Sequence, residues 1–228
     1  MSVEPDQVRE MFDRISPAYD RMNRLMSGGL DGRWRRFAVR CAGLAPGDAA
    51  LDVCCGTGDL AIDLLDEVSS RGRVVGLDFS EPMLELARAK TALVEWVRGD
   101  ALDLPYGAGE FAAATIGFGM RNLADHGRGF REMRRVVRPG GRVVCLELTE
   151  PPPWVAPFSR IWTDRAVPLL GRLVAGDEAA YTYLPGSVHR FPPAAELVGV
   201  MEAAGLEHVQ FRRLMMGVVA VHVGTVPA

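Results

Sequence analysis

Between residues 49 and 148 the chain alternates short apolar runs with helical patterns, and this rhythm restricts the fold more than any other feature. Residues 49–54, 73–77, 94–97, 111–118 and 142–148 read as strands with no polar face. Helical spacing between them carries Leu60, Ile62, Leu64 and Leu65, then Met83, Leu84 and Ala87, then Phe130, Met133 and Val137. Ser80 is placed to cap the second of these helices, and Pro139-Gly140-Gly141 to stop the third. Such strands, buried on both sides and joined by helices, imply a doubly wound, mostly parallel α/β sheet. Two further runs, 206–214 and 217–226, are joined by a tight connection and bring the sheet to about seven strands.

The remaining segments are additions to a single domain of 228 residues. Residues 1–48 form an Arg-rich helical entry, with Phe12, Ile15 and Tyr19 on one face and a break at Ser27-Gly28-Gly29. The cofactor-binding core would span 49–150, a helical lid 151–192, and a helix with a strand pair 193–228. In the lid Val155, Phe158, Trp162, Ala166, Leu169 and Leu173 recur at helical steps, as one continuous face.

Charge and composition remove several function classes. With 26 basic and 29 acidic residues, no nucleic-acid partner is expected. The apolar run 214–226 falls short of the roughly 20 residues a membrane span needs. The N-terminus lacks a signal pattern, and the four cysteines have neither metal-site nor disulfide spacing, so a reducing, cytoplasmic location is expected. Cys54 and Cys55 read as small core residues. Lys90 is the one lysine, for which codon bias is the plain explanation. Asn23 and Asn122 are the two asparagines and therefore worth locating.

The first strand leads into Asp52-Val-Cys-Cys-Gly56-Thr-Gly58-Asp59, whose glycines let the backbone come close to a ligand. The glycines alone also fit a loose dinucleotide fingerprint. Charge separates the readings: Asp59 and Asp52 would repel a pyrophosphate at the helix N-terminus but attract the ammonium and sulfonium of S-adenosylmethionine. The plainer alternative leaves Asp59 as a helix cap. Asp78 ends the second strand, 20 residues past Gly58, suited to both ribose hydroxyls. Asp100 ends the third, suited to the adenine amino group, with the Ala101 N–H for a ring nitrogen. Phe79 and Gly117 complete the expected cofactor set, which includes no metal. A nicotinamide oxidoreductase is disfavoured by Asp59 and by the lack of a second nucleotide-binding half.

At this point the chain resembles the class I methyltransferases, and within them the menaquinone/ubiquinone biosynthesis C-methyltransferases. The likeness rests on the stretch from Phe12 through Tyr19-Asp20 to Asn23, on the Gly56-Thr57-Gly58-Asp59 loop, and on Gly117-Phe-Gly-Met-Arg121-Asn122. It continues through Tyr181-Thr-Tyr183-Leu-Pro-Gly-Ser187 and the strand from Gly217 through His222 to Gly224. The chain departs from the family at Gly117, where many relatives carry Ser, and at Met215, where Thr is usual. The resemblance implies cofactor contacts at Thr57, Asp78, Asp100 and Ala101, and methyl transfer to a ring carbon of a prenylated quinol. That quinol would be 2-demethylmenaquinol or, alternatively, the 6-methoxy benzoquinol of ubiquinone synthesis. A secondary-metabolism methyltransferase and a non-catalytic cofactor- or lipid-binding subunit are the other readings.

Methylating a ring carbon requires electron density there. A quinol hydroxyl has a pKa near that of a phenol, ~10, and lowering it about three units takes roughly 4 kcal/mol. Arg121 is the expected oxyanion stabiliser, Asn122 the group orienting hydroxyl or water, and Asp59 the proton acceptor. Tyr19, Asn23, Tyr181, Tyr183 and His189 are expected to line the substrate pocket, whereas His222 reads as a core histidine. The bland alternatives are a surface ion pair for Arg121 and a turn role for Asn122. A prenyl chain implies substrate drawn from a membrane. The lid, with Trp154, Phe158, Trp162 and Leu169 beside Arg160, Arg165 and Arg172, is either an interfacial face or a buried helix. Peripheral contact at the inner face of the membrane and a homodimer are the remaining partner expectations.

Overall fold

All seven expected strands join one sheet. The computed structural model describes residues 5–175 and 178–228, excluding the side chains of 5, 160, 163, 164, 173, 175, 178, 179, 181 and 182. The strands are β1 (Ala49–Val53), β2 (Arg73–Asp78), β3 (Glu95–Arg98), β4 (Phe111–Gly117), β5 (Val137–Leu148), β6 (Glu207–Leu214) and β7 (Val219–Thr225). Their order is β3-β2-β1-β4-β5-β7-β6. The first five are mutually parallel, whereas β7 runs antiparallel to both β5 and β6. Burial on both faces explains the unbroken apolar reading: β4 is buried from Phe111 to Ile116.

Ten α-helices are described. α1 (Pro5–Ile15), α2 (Tyr19–Met26) and α3 (Asp31–Ala42) precede the sheet. α4 (Asp59–Val68), α5 (Glu81–Lys90) and α6 (His126–Val136) connect its strands. α7 (Ala156–Ile161), α8 (Val167–Leu170) and α9 (Glu178–Arg190) form the insertion, and α10 (Ala194–Ala203) leads into β6. Ser80 caps α5 as expected, its hydroxyl accepting from the Met83 N–H. α6 ends at Val136, three residues before its expected stop at Pro139. Val137 is extended and pairs with Phe111, so β5 begins before Pro139 and accommodates the turn as an irregularity in its ladder.

Met11, Ile15, Ala18 and Met22 pack with Met83, Val167 and Ala180 in a cluster separate from the main core. The N-terminal helices and the insertion therefore form one roof over the carboxyl edge of the sheet. The insertion does not present the single face that its spacing suggested. Wide π-type turns at Trp162–Ala166 and Gly171–Ala175 shift the helical phase. Val155 and Val167 are buried, whereas Phe158, Trp162 and Leu169 are exposed.

Candidate active site

The strand order reverses between β1 and β4, and in sheets of this kind ligands bind where the strand ends diverge. A cavity of about 150 Å³ lies at that position. Its floor includes Gly56, Asp78, Phe79, Asp100, Ala101 and Gly117, all of which were expected to serve the cofactor. Val8, Phe12 and Tyr19 close it from the roof, and Asn122 contributes from the turn after β4.

Asp78 links two loops. Its Oδ2 accepts from the Gly56 N–H at 2.8 Å and its Oδ1 from the Ser80 N–H at 2.9 Å. Burial pushes its carboxyl up to about 6, against the pull of the Ser80, Gly56 and Phe79 N–H groups. The carboxylate keeps acceptor capacity for a ligand hydroxyl. Asp100 is exposed and folds over its own backbone, its Oδ1 accepting from the Leu102 N–H at 2.8 Å, which leaves Oδ2 for an outside donor. Gly58 has a different task from Gly56. It sits at φ 87°, and a Cβ there would come within 2.3 Å of the Trp96 ring, so packing against the domain requires this glycine.

Two expected acids stand outside the cavity lining. Asp52 is buried beneath the loop, its Oδ1 accepting from the Thr115 hydroxyl at 2.7 Å. Among the described residues its Oδ2 has no hydrogen-bond partner, and burial pushes the carboxyl up to about 7. Asp59 faces helices instead of the cavity: Lys90 Nζ approaches it at 2.6 Å and Arg35 Nη2 at 3.2 Å. Both oxygens of Asp59 are engaged by cations, and Asp59 is not among the residues lining the cavity, where the expected proton acceptor would stand. Thr57 also turns to the protein, donating to Asp20 Oδ1 at 2.5 Å.

Arg121 is neither a surface ion pair nor a cavity wall. Its side chain is 8% exposed and its partner Glu147 1%, with Nη1 to Oε1 at 2.8 Å. The Arg121 N–H also donates to Glu147 Oε2 at 3.1 Å, Nε donates to the Ser187 hydroxyl at 3.3 Å, and Nη1 reaches the Phe118 carbonyl. Nη2 has no hydrogen-bond partner among the described residues. Sequence reasoning missed Glu147, although the rule that found the other acids applies equally to an acid at the end of the fifth strand. It also missed Asp13 and Asp20, which tie the roof to Ser80 and Thr57.

Tyr19 stands over Gly56, whose added Cβ would lie 3.8 Å from its ring. Burial pushes the Tyr19 hydroxyl up, while the Asn23 side chain and the Arg121 cation oppose that shift. Tyr183 donates to Asn122 Oδ1 at 3.3 Å, and Asn122 Nδ2 donates to the Phe118 carbonyl at 3.4 Å. His189 lies elsewhere, its Nδ1 3.1 Å from Glu150. The expectation for the Tyr181 side chain lies outside the described residues. His222 is a core histidine as read, buried with Nε2 2.8 Å from the Ala194 carbonyl.

These residues fit a nucleoside that carries a cation. Asp78 offers acceptors for a diol, Asp100 an acceptor at the far end, and the left-handed Gly56 a close backbone approach. Among the described residues no group of His, Cys, Asp and Glu could hold a metal ion.

Solved structures with this fold include the [4+2]-cyclase SpnF, at TM-score 0.73 and 19% identity, covering 100% of this chain and 98% of that one. A methyltransferase described as a possible histamine N-methyltransferase from Thermotoga maritima gives TM-score 0.66 and 20% identity, covering 96% and 99%. At these identities the likeness establishes the class I methyltransferase fold alone, and one neighbour is a cyclase. The sequence relatives say more. A demethylmenaquinone methyltransferase of Lactiplantibacillus plantarum is 40% identical over 225 residues, 96% of this chain and 95% of that one. A demethylmenaquinone methyltransferase of Bacillus cereus is 40% identical over 230 residues, 97% and 96% of the two chains. The model of the ubiE/COQ5 methyltransferase family matches residues 1–226, and with strand-end carboxylates converging on one cavity the chain belongs to that family.

Proposed function

We propose that the chain transfers a methyl group from S-adenosylmethionine to a ring carbon of 2-demethylmenaquinol, giving menaquinol. The observation that carries the reading is the convergence of Asp78, Asp100 and the Ala101 backbone with Tyr19 and Asn122 on a single cavity. The two relatives above are named for the naphthoquinone reaction, which favours it over the benzoquinol alternative.

When bound, S-adenosylmethionine supplies an electrophilic methyl on a sulfonium. The chain binds it with Asp78 at the ribose and Asp100 at the adenine. The acceptor lies between the loop after β1 and the turn holding Asn122. Burial keeps Tyr19 protonated, so its hydroxyl donates a hydrogen bond to the acceptor oxygen as negative charge develops there. Arg121, held by Glu147 and Ser187, contributes positive potential beside that hydroxyl, and Asn122 orients the acceptor or a water. Because Asp59 is bound to Lys90 and Arg35, the quinol hydroxyl proton leaves to water. After transfer the C–H proton of the methylated carbon is lost while the oxygen regains a proton, so the aromatic quinol is restored with one proton released overall. The roof excludes bulk water from the reacting carbon.

The lid supports a peripheral membrane contact. Trp154, Phe158, Ile161 and Trp162 are 67%, 76%, 61% and 44% exposed, which argues against the buried-helix alternative. With exposed Arg165 and Arg172 they suit an anionic bilayer surface. Among the described residues no helix is long and apolar enough to cross a membrane. Methyl-labelled S-adenosylmethionine tests the reaction when it is supplied with reduced and with oxidised acceptor. Label should enter a ring carbon of the quinol and not the quinone, which has no hydroxyl to ionise. Equal labelling of both forms would contradict the oxyanion chemistry.

A further inference from the structure

A second cavity, of about 410 Å³, lies between the stretch after β5, α7 and α9. Apolar side chains dominate its walls: Leu148, Pro153, Pro157, Leu184, Pro185 and Val188. Its volume falls in the range of small-molecule sites, roughly 300–1,000 Å³. The cavity shares a wall with the Arg121 cluster. Leu148 follows Glu147 in β5, and Leu184 and Val188 flank Ser187, whose hydroxyl accepts from Arg121 and donates to the Leu184 carbonyl at 2.7 Å. α9 therefore works on two sides. Tyr183 reaches Asn122 at the first cavity, while Leu184 and Val188 line the second. Its polar lining residues are Thr149, Glu150, Ser159 and His189, the last with Nδ1 3.1 Å from Glu150. The helix forming one wall, α7, also carries the exposed Phe158 and Ile161.

We infer that this second cavity is a subsite for a linear isoprenoid chain, the tail of the acceptor whose ring occupies the first cavity. The inference rests on the function proposed above. Three observations select the occupant. The walls are mostly apolar, as suits a chain with few polar atoms, and their prolines hold a groove open without side-chain ordering. The site adjoins the residues that position the ring. It also lies behind the helix suited to a bilayer, so a tail drawn from lipid passes from one apolar environment to another.

Geranylgeraniol, an isoprenoid alcohol without a quinone ring, probes the subsite directly on the full chain by calorimetry. Two variants fill the groove from opposite walls, Ala156→Phe on α7 and Val188→Phe on α9, and thermal unfolding with cofactor binding shows whether each is folded. The wild type should bind the alcohol, and at least one folded variant should weaken binding tenfold or more. The same variant should lower kcat/KM for a long-tailed demethylmenaquinol about tenfold relative to the tail-less naphthalenediol. No binding by the wild type, or binding and substrate ratio both indifferent to the substitutions, overturns the subsite. Isoprenoid binding with no methylation of either acceptor instead refutes the proposed reaction while leaving the subsite standing.

Discussion

The floor of the active site and its roof hold their polar groups by different means. On the floor, Asp78 is fixed by the backbone N–H groups of Gly56 and Ser80, and Asp100 by that of Leu102. Over the roof, side chain holds side chain: Asp20 on Thr57 and Lys90, Asp13 on Ser80, Tyr183 on Asn122. Backbone donors at strand ends are placed by the sheet itself, so the floor is preorganised for the cofactor. Side-chain pairs between separate segments can part and re-form, as a covering that admits two substrates must. Arg121 stands at the seam, bound by Glu147 from the floor and by Ser187 from the roof.

The seam should be the most sensitive place to break. Arg121→Ala strips the partner from the buried Glu147 and should cost about 3–5 kcal/mol of stability, with turnover falling roughly 10²–10³-fold. The double variant Arg121→Met/Glu147→Leu removes both charges. It should regain much of the stability in thermal unfolding without regaining turnover, and recovery of both would reduce Arg121 to a packing element.

On the floor, the buried Asp52 makes stability depend on pH. Its folded pKa, about 7, lies above the unfolded value of about 4, so the folded state keeps the proton longer. Stability is full below the lower value and is lost as pH rises through the upper, by up to about 4 kcal/mol. Asp52→Asn should flatten unfolding curves across that window and exceed the parent in stability above pH 7. A parallel pH profile in the variant would show that Asp52 is already ionised.

Asp78 should govern cofactor binding. Removing a charged acceptor costs about 1.5–3 kcal/mol, so Asp78→Asn should weaken S-adenosylmethionine about 10–100-fold in calorimetry. Since burial raises its pKa to about 6, parent affinity should also decline below that pH and the variant's should not.

How much of this contrast was legible in the sequence follows the same division. The strands, their order along the chain and the acids at their ends could be read because strand ends and turns are local, with spacing that leaves few alternatives. Gly56, Asp78, Asp100 and Asn122 all reached the cavity. What sequence could not supply was the pairing of residues distant in the chain. Asp59 stands at the expected helix start, yet Arg35 and Lys90, from two other helices, neutralise it. Glu147 was lost inside an apolar run, although burial is what ties it to Arg121. In the insertion, spacing alone could not reveal the wide turns that expose Phe158 and Trp162.

The roof should yield smaller effects. Asp20→Ala cuts its contacts to Thr57 and Lys90 and should cost about 1 kcal/mol, read as a severalfold faster cofactor exchange with little change in the chemical step. A slower chemical step at unchanged exchange would place Asp20 in the catalytic machinery. Smaller still for stability, Trp154→Ser/Trp162→Ser should leave unfolding within about 0.5 kcal/mol while reducing flotation with anionic vesicles. Unchanged flotation would remove the lid from the membrane surface.

The most direct measurement gives the purified chain methyl-labelled S-adenosylmethionine with demethylmenaquinol in one vessel and a demethylated benzoquinol in another. Label on the naphthoquinol ring carbon, formed faster than on the benzoquinol, is the predicted result. Cofactor bound to the chain with no label passed to the naphthoquinol would contradict the proposed reaction.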